Sequence, residues 1–87
     1  MTPEDLIEIG RVTGYFARIG VAGIDLSKPL RVGDLIRIRG HTTDLEQVVD
    51  SIQIEHEQVQ EAKAGDKIGI SVADRCRDGD RVYKAVD

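Results

Sequence analysis

The sequence predicts an all-β fold, a small closed antiparallel barrel of about six strands. Three observations lead there. Apolar residues alternate with polar ones in short runs, the period of a strand with one buried face. Turn dipeptides separate the runs. Glycines fall inside the longer runs, at Gly10, Gly14, Gly20 and Gly23, where a sheet must bend to close. Closure also removes sticky edges, which favours a barrel over an open two-sheet sandwich.

The elements follow in chain order. Thr2-Pro3-Glu4-Asp5 reads as a helix start, with Thr as cap, Pro first and acids following. Gly10 and the β-branched residues after it limit such a helix to about one turn. Strands are expected at 6–16, 17–27, 34–40, 45–56, 67–76 and 80–86. In the second, Ile19 and Val21 have one parity and Ile24 and Leu26 the other, so a β-bulge is expected near Gly23. In the third, Ile36 and Ile38 share one face and Arg37 and Arg39 the other. Val48, Ile52 and Ile54 share a parity in the fourth, which leaves Val49 exposed opposite Ile52 as a face for self-association. Ile68, Ile70 and Val72 do the same in the fifth, and Val82 and Val86 close the chain. Gly33-Asp34, Gly65-Asp66 and Gly79-Asp80 each precede a strand. Glycine supplies a positive φ and aspartate bonds its own backbone, so each pair marks a turn.

Eighty-seven residues are one domain, 1–87, with 1–5 as a lead-in. Apolar residues make up 40% and charged ones 32%, a globular composition with no run long enough to span a membrane as a helix. The first residues carry neither a basic region nor an apolar signal core, so a cytoplasmic location is expected. The lone Cys76 excludes an internal disulfide and a cysteine-rich metal site.

Net charge is −4, the wrong sign for a free-standing nucleic-acid binder. It is unevenly spread. Residues 1–43 hold six basic and five acidic side chains, whereas 44–87 hold six and eleven. The stretch 44–66 has seven acids against Lys63 alone.

Nothing reads as catalytic. There is no phosphate loop and no nucleophile elbow, and Ser51 and Ser71 lie in expected strands. His41 has Asp44 three residues on but sits in a polar turn, where a solvated imidazole is expected. His56 lies between Glu55 and Glu57, whose charges favour the imidazolium and a surface ion pair. Cys76 is flanked by Arg75 and Arg77. Cations favour thiolate, yet alternation points the thiol to the opposite, buried face. The candidate binding groups are arginines. Arg37 with Arg39, and Arg75 with Arg77, project from strand faces as stripes suited to phosphate or carboxylate, unless they simply form a solvated outer face. Tyr15, Phe16 and Tyr83 are few for base stacking. No cofactor is implied.

The segment Ser51-Ile52-Gln53-Ile54-Glu55-His56-Glu57 followed by Glu61-Ala62-Lys63-Ala64-Gly65-Asp66-Lys67-Ile68-Gly69 resembles the second domain of translational GTPases of the elongation factor Tu and elongation factor one-alpha group. Leu30-Arg31-Val32-Gly33-Asp34, Arg18 with Ile19-Gly20-Val21-Ala22-Gly23, and Arg77-Asp78-Gly79-Asp80-Arg81-Val82 resemble that family's motifs in order. The resemblance covers about residues 9–86 and implies a Greek-key barrel. It departs at Gln53, where the family has an acid, at Glu55, where it has an aromatic or histidine, and at Ala17 and Ile19 around Arg18. No GTP-binding domain accompanies the barrel. The same barrel type occurs as the C-terminal accessory domain of collagenase-like peptidases, some of which act in RNA modification.

The resemblance implies a non-catalytic module of translation or RNA metabolism that contacts RNA or the ribosome. Arg18, Arg37, Arg39, Arg75, Arg77 and His56 would make the contacts. The alternative is a protein-interaction adaptor whose acidic 44–66 region docks on a basic partner such as an RNA-modifying enzyme.

Overall fold

In the computed structural model, which describes residues 5–86, every regular element is a strand. The strands are β1 (Asp5–Phe16), β2 (Val21–Leu26), β3 (Leu30–Arg31), β4 (Leu35–Arg39), β5 (Asp44–Val48), β6 (Ile52–Ile54), β7 (Glu57–Val59), β8 (Glu61–Ala62), β9 (Lys67–Ser71) and β10 (Arg81–Val86). The expected helix start at 2–5 lies outside the described residues except for Asp5, which begins β1.

Eight strands form one antiparallel sheet in the order β5-β4-β10-β1-β2-β9-β6-β7, and β3 pairs with β8 separately. Long β1 serves both halves. Asp5 to Arg11 pair with β10, and Gly10 to Phe16 pair with β2. Register shifts between Glu8 and Gly10 and between Val12 and Gly14 bend β1 so that one sheet wraps a single core. The bulges thus lie in β1, one of them directly opposite Gly23, and not in β2 itself. β2 alternates without a slip, because Ile19 belongs to the preceding turn and Ala22, not Val21, points inward. Gly10 is needed at the bend: a Cβ there would stand 2.6 Å from the Asp25 carbonyl oxygen.

The core is aliphatic. Ile9, Ile24, Leu30, Ile36, Ile38, Ile52 and Ile70 are fully buried with Val12 and Val82. Leu30 and Ala62 of the β3–β8 pair are buried with them. The fourth expected strand, 45–56, is two strands broken at Val49-Asp50-Ser51 and ending in the turn at Glu55-His56. The break reverses the expected parity. Val49 is 1% exposed and in the core, while Val48 is 51% exposed, so the face expected around Val49 does not exist.

The three Gly-Asp pairs build one turn three times. Gly33, Gly65 and Gly79 have φ of 99°, 93° and 94°. The following carboxylates, of Asp34, Asp66 and Asp80, accept from the backbone N–H groups of Arg31, Lys63 and Arg77 at 2.9, 2.8 and 2.8 Å. The backbone N–H of each aspartate donates to the carbonyl of the same residue at 3.0–3.1 Å. A positive-φ glycine at the third position with this hydrogen bond is a type II turn.

The barrel does not close. β5 and β7 end the sheet and do not pair with each other. The expected strand 67–76 stops at Ser71, and the chain beyond it passes beside β5 without a ladder. Gln47 bridges the gap. Its Nε2 donates to the Ser71 carbonyl at 2.8 Å and its Oε1 accepts from the Ala73 N–H at 2.7 Å. A side chain in that lane holds the two backbones farther apart than ladder spacing allows. Gln47→Leu roughly keeps the volume but removes both bonds, leaving the part-buried Ser71 carbonyl without its partner and the exposed Ala73 N–H to water. It is expected to lower stability by about 1–3 kcal/mol, read by chemical denaturation, with faster amide exchange at Ala73.

Candidate functional site

The arginines singled out from the sequence do not form one site. Arg18 is exposed in the turn 17–20. Arg37 and Arg39 share the outer face of β4 as expected, but β5 answers them, with Glu46 opposite Arg37 and Asp44 opposite Arg39. Arg37 also reaches diagonally to Asp44, Nε to Oδ1 at 3.1 Å and Nη2 to Oδ2 at 3.4 Å. That hydrogen bond, helped by the charges of Arg37 and Arg39 and opposed by desolvation, lowers the pKa of the Asp44 carboxyl. Arg75 and Arg77 leave the strand and meet the β4–β5 loop in a polar hollow of about 560 Å³, which also holds Thr42, Asp44 and Asp74. Across the sheet, one rung of the outer face reads Lys67, Asp25, Arg11, Arg81, Arg39, Asp44. Lys67 pairs with Asp25, and Arg81 with Glu8, each at 3.7 Å. Arg11, Arg81 and Arg39 are adjacent in this rung, flanked by Asp25 on one side and Asp44 on the other.

Cys76 is 2% exposed between exposed Arg75 and Arg77. Burial pushes its thiol up to about 11, and the charge of Asp80 adds to the effect. The flanking arginines are exposed, so desolvation prevails and disfavours the thiolate. Among the described residues no group of three His, Cys, Asp or Glu side chains is placed to hold a metal. No helix among them is long and apolar enough to cross a membrane.

What the fold does assemble is a groove of about 320 Å³ on the outer face of β1, β2, β9 and β6. Its floor is one rung, in which Gly23 faces Gly69 and Gly69 faces Gln53; Gly14 pairs with Gly23 from β1, beyond the groove's lining. Phe16, 56% exposed, forms one wall. Thr13, Asp25 and Lys67 line the other side. Glu55 and His56 stand at the open end. They are the two central residues of the β6–β7 hairpin, since Ile54 pairs with Glu57. Their φ values are 52° and 70°, the left-handed region at both positions of a two-residue turn. Glycine or asparagine is usual there, and other residues cost roughly 1 kcal/mol or more each. Of the sequence candidates only His56 belongs to this groove.

The glycines of this rung differ in their reasons. A Cβ on Gly69 would press Val21 Cγ1 at 3.2 Å. On Gly14 it would meet only Phe16, at 3.8 Å, and on Gly23 nothing nearer than Thr13 Oγ1 at 3.5 Å, which is ordinary contact. Neither has the positive φ that would demand glycine. Internal packing therefore does not require glycine at 14 or 23.

No family model matches the chain. It is 46% identical over 78 residues to a protein of Methanocaldococcus jannaschii named as an uncharacterised protease, covering 88% of this chain and 19% of that one. It is 38% identical over 80 residues to a collagenase of Porphyromonas gingivalis, covering 90% and 19%. The chain spans about a fifth of the length of these curated relatives. In fold it matches two crystal structures of the C-terminal domain of a Geobacillus thermoleovorans protein described as a U32 peptidase. One has a TM-score of 0.85 at 21% identity, over 90% of this chain and 99% of that one. The other has a TM-score of 0.83 at 22% identity, over 87% and 89%. These findings overturn the resemblance to the elongation factor domain, and with it the reading as a translation- or RNA-associated module. They agree instead with the likeness to the accessory domain of collagenase-like peptidases.

The thiol supplies a pH test. At pH 8 a pKa near 11 in place of 9.0 leaves about a hundredfold less thiolate. Iodoacetamide is expected to label Cys76 about a hundredfold more slowly in the folded protein than in urea, or slower still if burial also blocks access. A raised folded pKa contributes stability in full below the unfolded value of 9.0, and that contribution is lost as pH climbs towards about 11. Melting temperature in wild type is expected to fall across that window more steeply than in Cys76→Ala.

Proposed function

We propose that this chain is a non-catalytic accessory domain for a peptidase of the U32 type, joined to the catalytic unit or meeting it as a partner, and that it contributes polypeptide binding. The observation that carries the reading is the pattern of likeness. Identity of 38–46% spans nearly all of this chain but only 19% of relatives named protease and collagenase. The fold match to an isolated C-terminal domain points the same way.

The chemistry of the chain supports a binding role over a catalytic one. Its one thiol is buried and protonated. His41 is exposed in the loop between β4 and β5, and His56 is at the far end of a groove with no serine among its lining residues. Among the described residues no serine, threonine or cysteine side chain is hydrogen-bonded to a histidine or a carboxylate. Binding energy realised on a remote part of a substrate can still speed cleavage elsewhere, because it supports positioning at the reacting centre.

The purified chain is expected to release no peptides from casein or gelatin. Exchanging residues 1–87 for the matching segment of the Porphyromonas gingivalis collagenase is expected to keep gelatin cleavage. Deleting that segment should reduce cleavage by about tenfold or more, the loss that a binding contribution near 1.4 kcal/mol represents. Hydrolysis by the isolated chain, or full activity in the deleted enzyme, would overturn the reading.

A further inference from the structure

Three arginines stand side by side on the outer face of the sheet. Arg81 of β10 lies directly opposite Arg11 of β1 on one side and Arg39 of β4 on the other. All three are exposed. Neighbouring strands are about 4.8 Å apart, so the backbones bearing Arg11 and Arg39 are about 9.5 Å apart with a third cation between them. Like charges directly opposite one another destabilise a sheet. A run of three therefore has no justification in the stability of β1, β10 and β4.

The acids at the two ends of the run are engaged elsewhere. Asp25 lies opposite Arg11, but its carboxylate pairs with Lys67 at 3.7 Å. Asp44 lies opposite Arg39, but both its oxygens accept from Arg37, at 3.1 and 3.4 Å. Glu8 reaches Arg81 through one contact of 3.7 Å, between side chains that are 42% and 57% exposed. Arg11 and Arg39 have no ion-pair partner among the described residues. The patch is thus cationic, and the carboxylates that could neutralise it are already taken.

Those same carboxylates decide which anion fits. Nucleic acid gains affinity by neutralising many phosphates in a row. A phosphate chain that continued along this rung would meet Asp25 past Arg11 or Asp44 past Arg39. A short acidic run in an otherwise neutral polypeptide ends where the arginines end. Guanidinium forks match carboxylates with paired hydrogen bonds. Three residues of extended chain reach about 10 Å, enough to cover the patch.

We propose that the rung Arg11-Arg81-Arg39 is a docking surface for a short acidic segment of a polypeptide, a run of about three aspartates or glutamates. The inference rests on the accessory-domain reading for its setting, but its test does not. Binding is read on the isolated chain, so a chain that binds the peptide yet cannot replace the collagenase segment fails the one and keeps the other.

The probe is fluorescein-labelled Gly-Ser-Asp-Glu-Asp-Ser-Gly, followed by anisotropy at about 0.1 M salt. The screening length there is about 10 Å, which mutes acids on the far side of the fold but not charges in contact. Saturable binding is expected, weakened at least about tenfold when the acids of the peptide are replaced by their amides. Arg81→Gln is expected to weaken binding about threefold, and the triple variant R11Q/R39Q/R81Q by about tenfold or more. Arg18→Gln, which removes the same charge from the turn 17–20, should leave affinity unchanged. The Arg81→Gln melting temperature should be unchanged or raised, since a like-charge contact is relieved. Four results would overturn the proposal: no saturation by about 1 mM peptide, wild-type affinity in the folded triple variant, an equal loss from Arg18→Gln and Arg81→Gln, or tighter binding of an oligouridylate than of the acidic peptide.

Discussion

One carboxamide stands where a ladder would be. Gln47 points inward from β5 and satisfies the Ser71 carbonyl and the Ala73 N–H, two groups that a curled sheet brings near its edge but cannot pair with backbone. Half-buried backbone polar groups need partners, and a side chain supplies them here. Much of the far side depends on this bridge. The segment after β9 is held beside β5, so Cys76 faces the core while Arg75 and Arg77 face the hollow by the β4–β5 loop. The Gly79-Asp80 turn then returns the chain to β10.

The local chemistry was legible in the sequence. Alternation placed Ile36 and Ile38 inside and Arg37 and Arg39 outside, and the Gly-Asp pairs marked turns whose hydrogen bonds match the expected kind. Parity was lost wherever an extra residue intervened. The break at Val49-Asp50-Ser51 splits what reads as one strand, so Val49 and not Val48 is core. Strands of two or three residues, such as β3, β7 and β8, are too short to show a period. Closure was not legible at all, because it turns on whether β5 meets a backbone or a side chain across a gap of more than twenty residues. The elongation factor likeness failed for a related reason. Its matched motifs are mostly Gly-Asp turns and strand parity, which different proteins of similar architecture share. Such features report the path of the chain and not its ligand.

The same non-locality explains the arginines. Strand alternation correctly puts two of them on one face, but their electrostatic meaning is decided by the strand alongside. β5 places Asp44 and Glu46 against Arg39 and Arg37, and Glu8 meets Arg81. Exposed pairs of this kind contribute little to stability. They do lower the positive potential that phosphate would need. Around Cys76 the sequence gives two neighbours of favourable charge, whereas the fold supplies burial and the charge of Asp80, both acting the other way.

Glycine in the long strands was read from the sequence as a device for bending, and that is true of Gly10, whose Cβ would collide with β2. It is not sufficient for Gly14 and Gly23. They lie in one rung, with ordinary backbone angles and the Phe16 ring packed 3.8 Å from where each Cβ would stand. A β-branched residue at either place would strengthen the sheet and cover the exposed Phe16 ring. The turn at Glu55-His56 has the same character, because glycine or asparagine would relieve its positive φ angles. Stability alone would favour different residues at all four positions. Gly23 and Gly69 are neighbours on the floor of one groove, and Glu55 and His56 share its open end. Such departures from the most stable local choice concentrate at sites that bind something. The Phe16 ring packs over the glycines, and the strained turn holds Glu55 and His56 at the end of the groove, so this face is where the chain departs furthest from the most stable local choice.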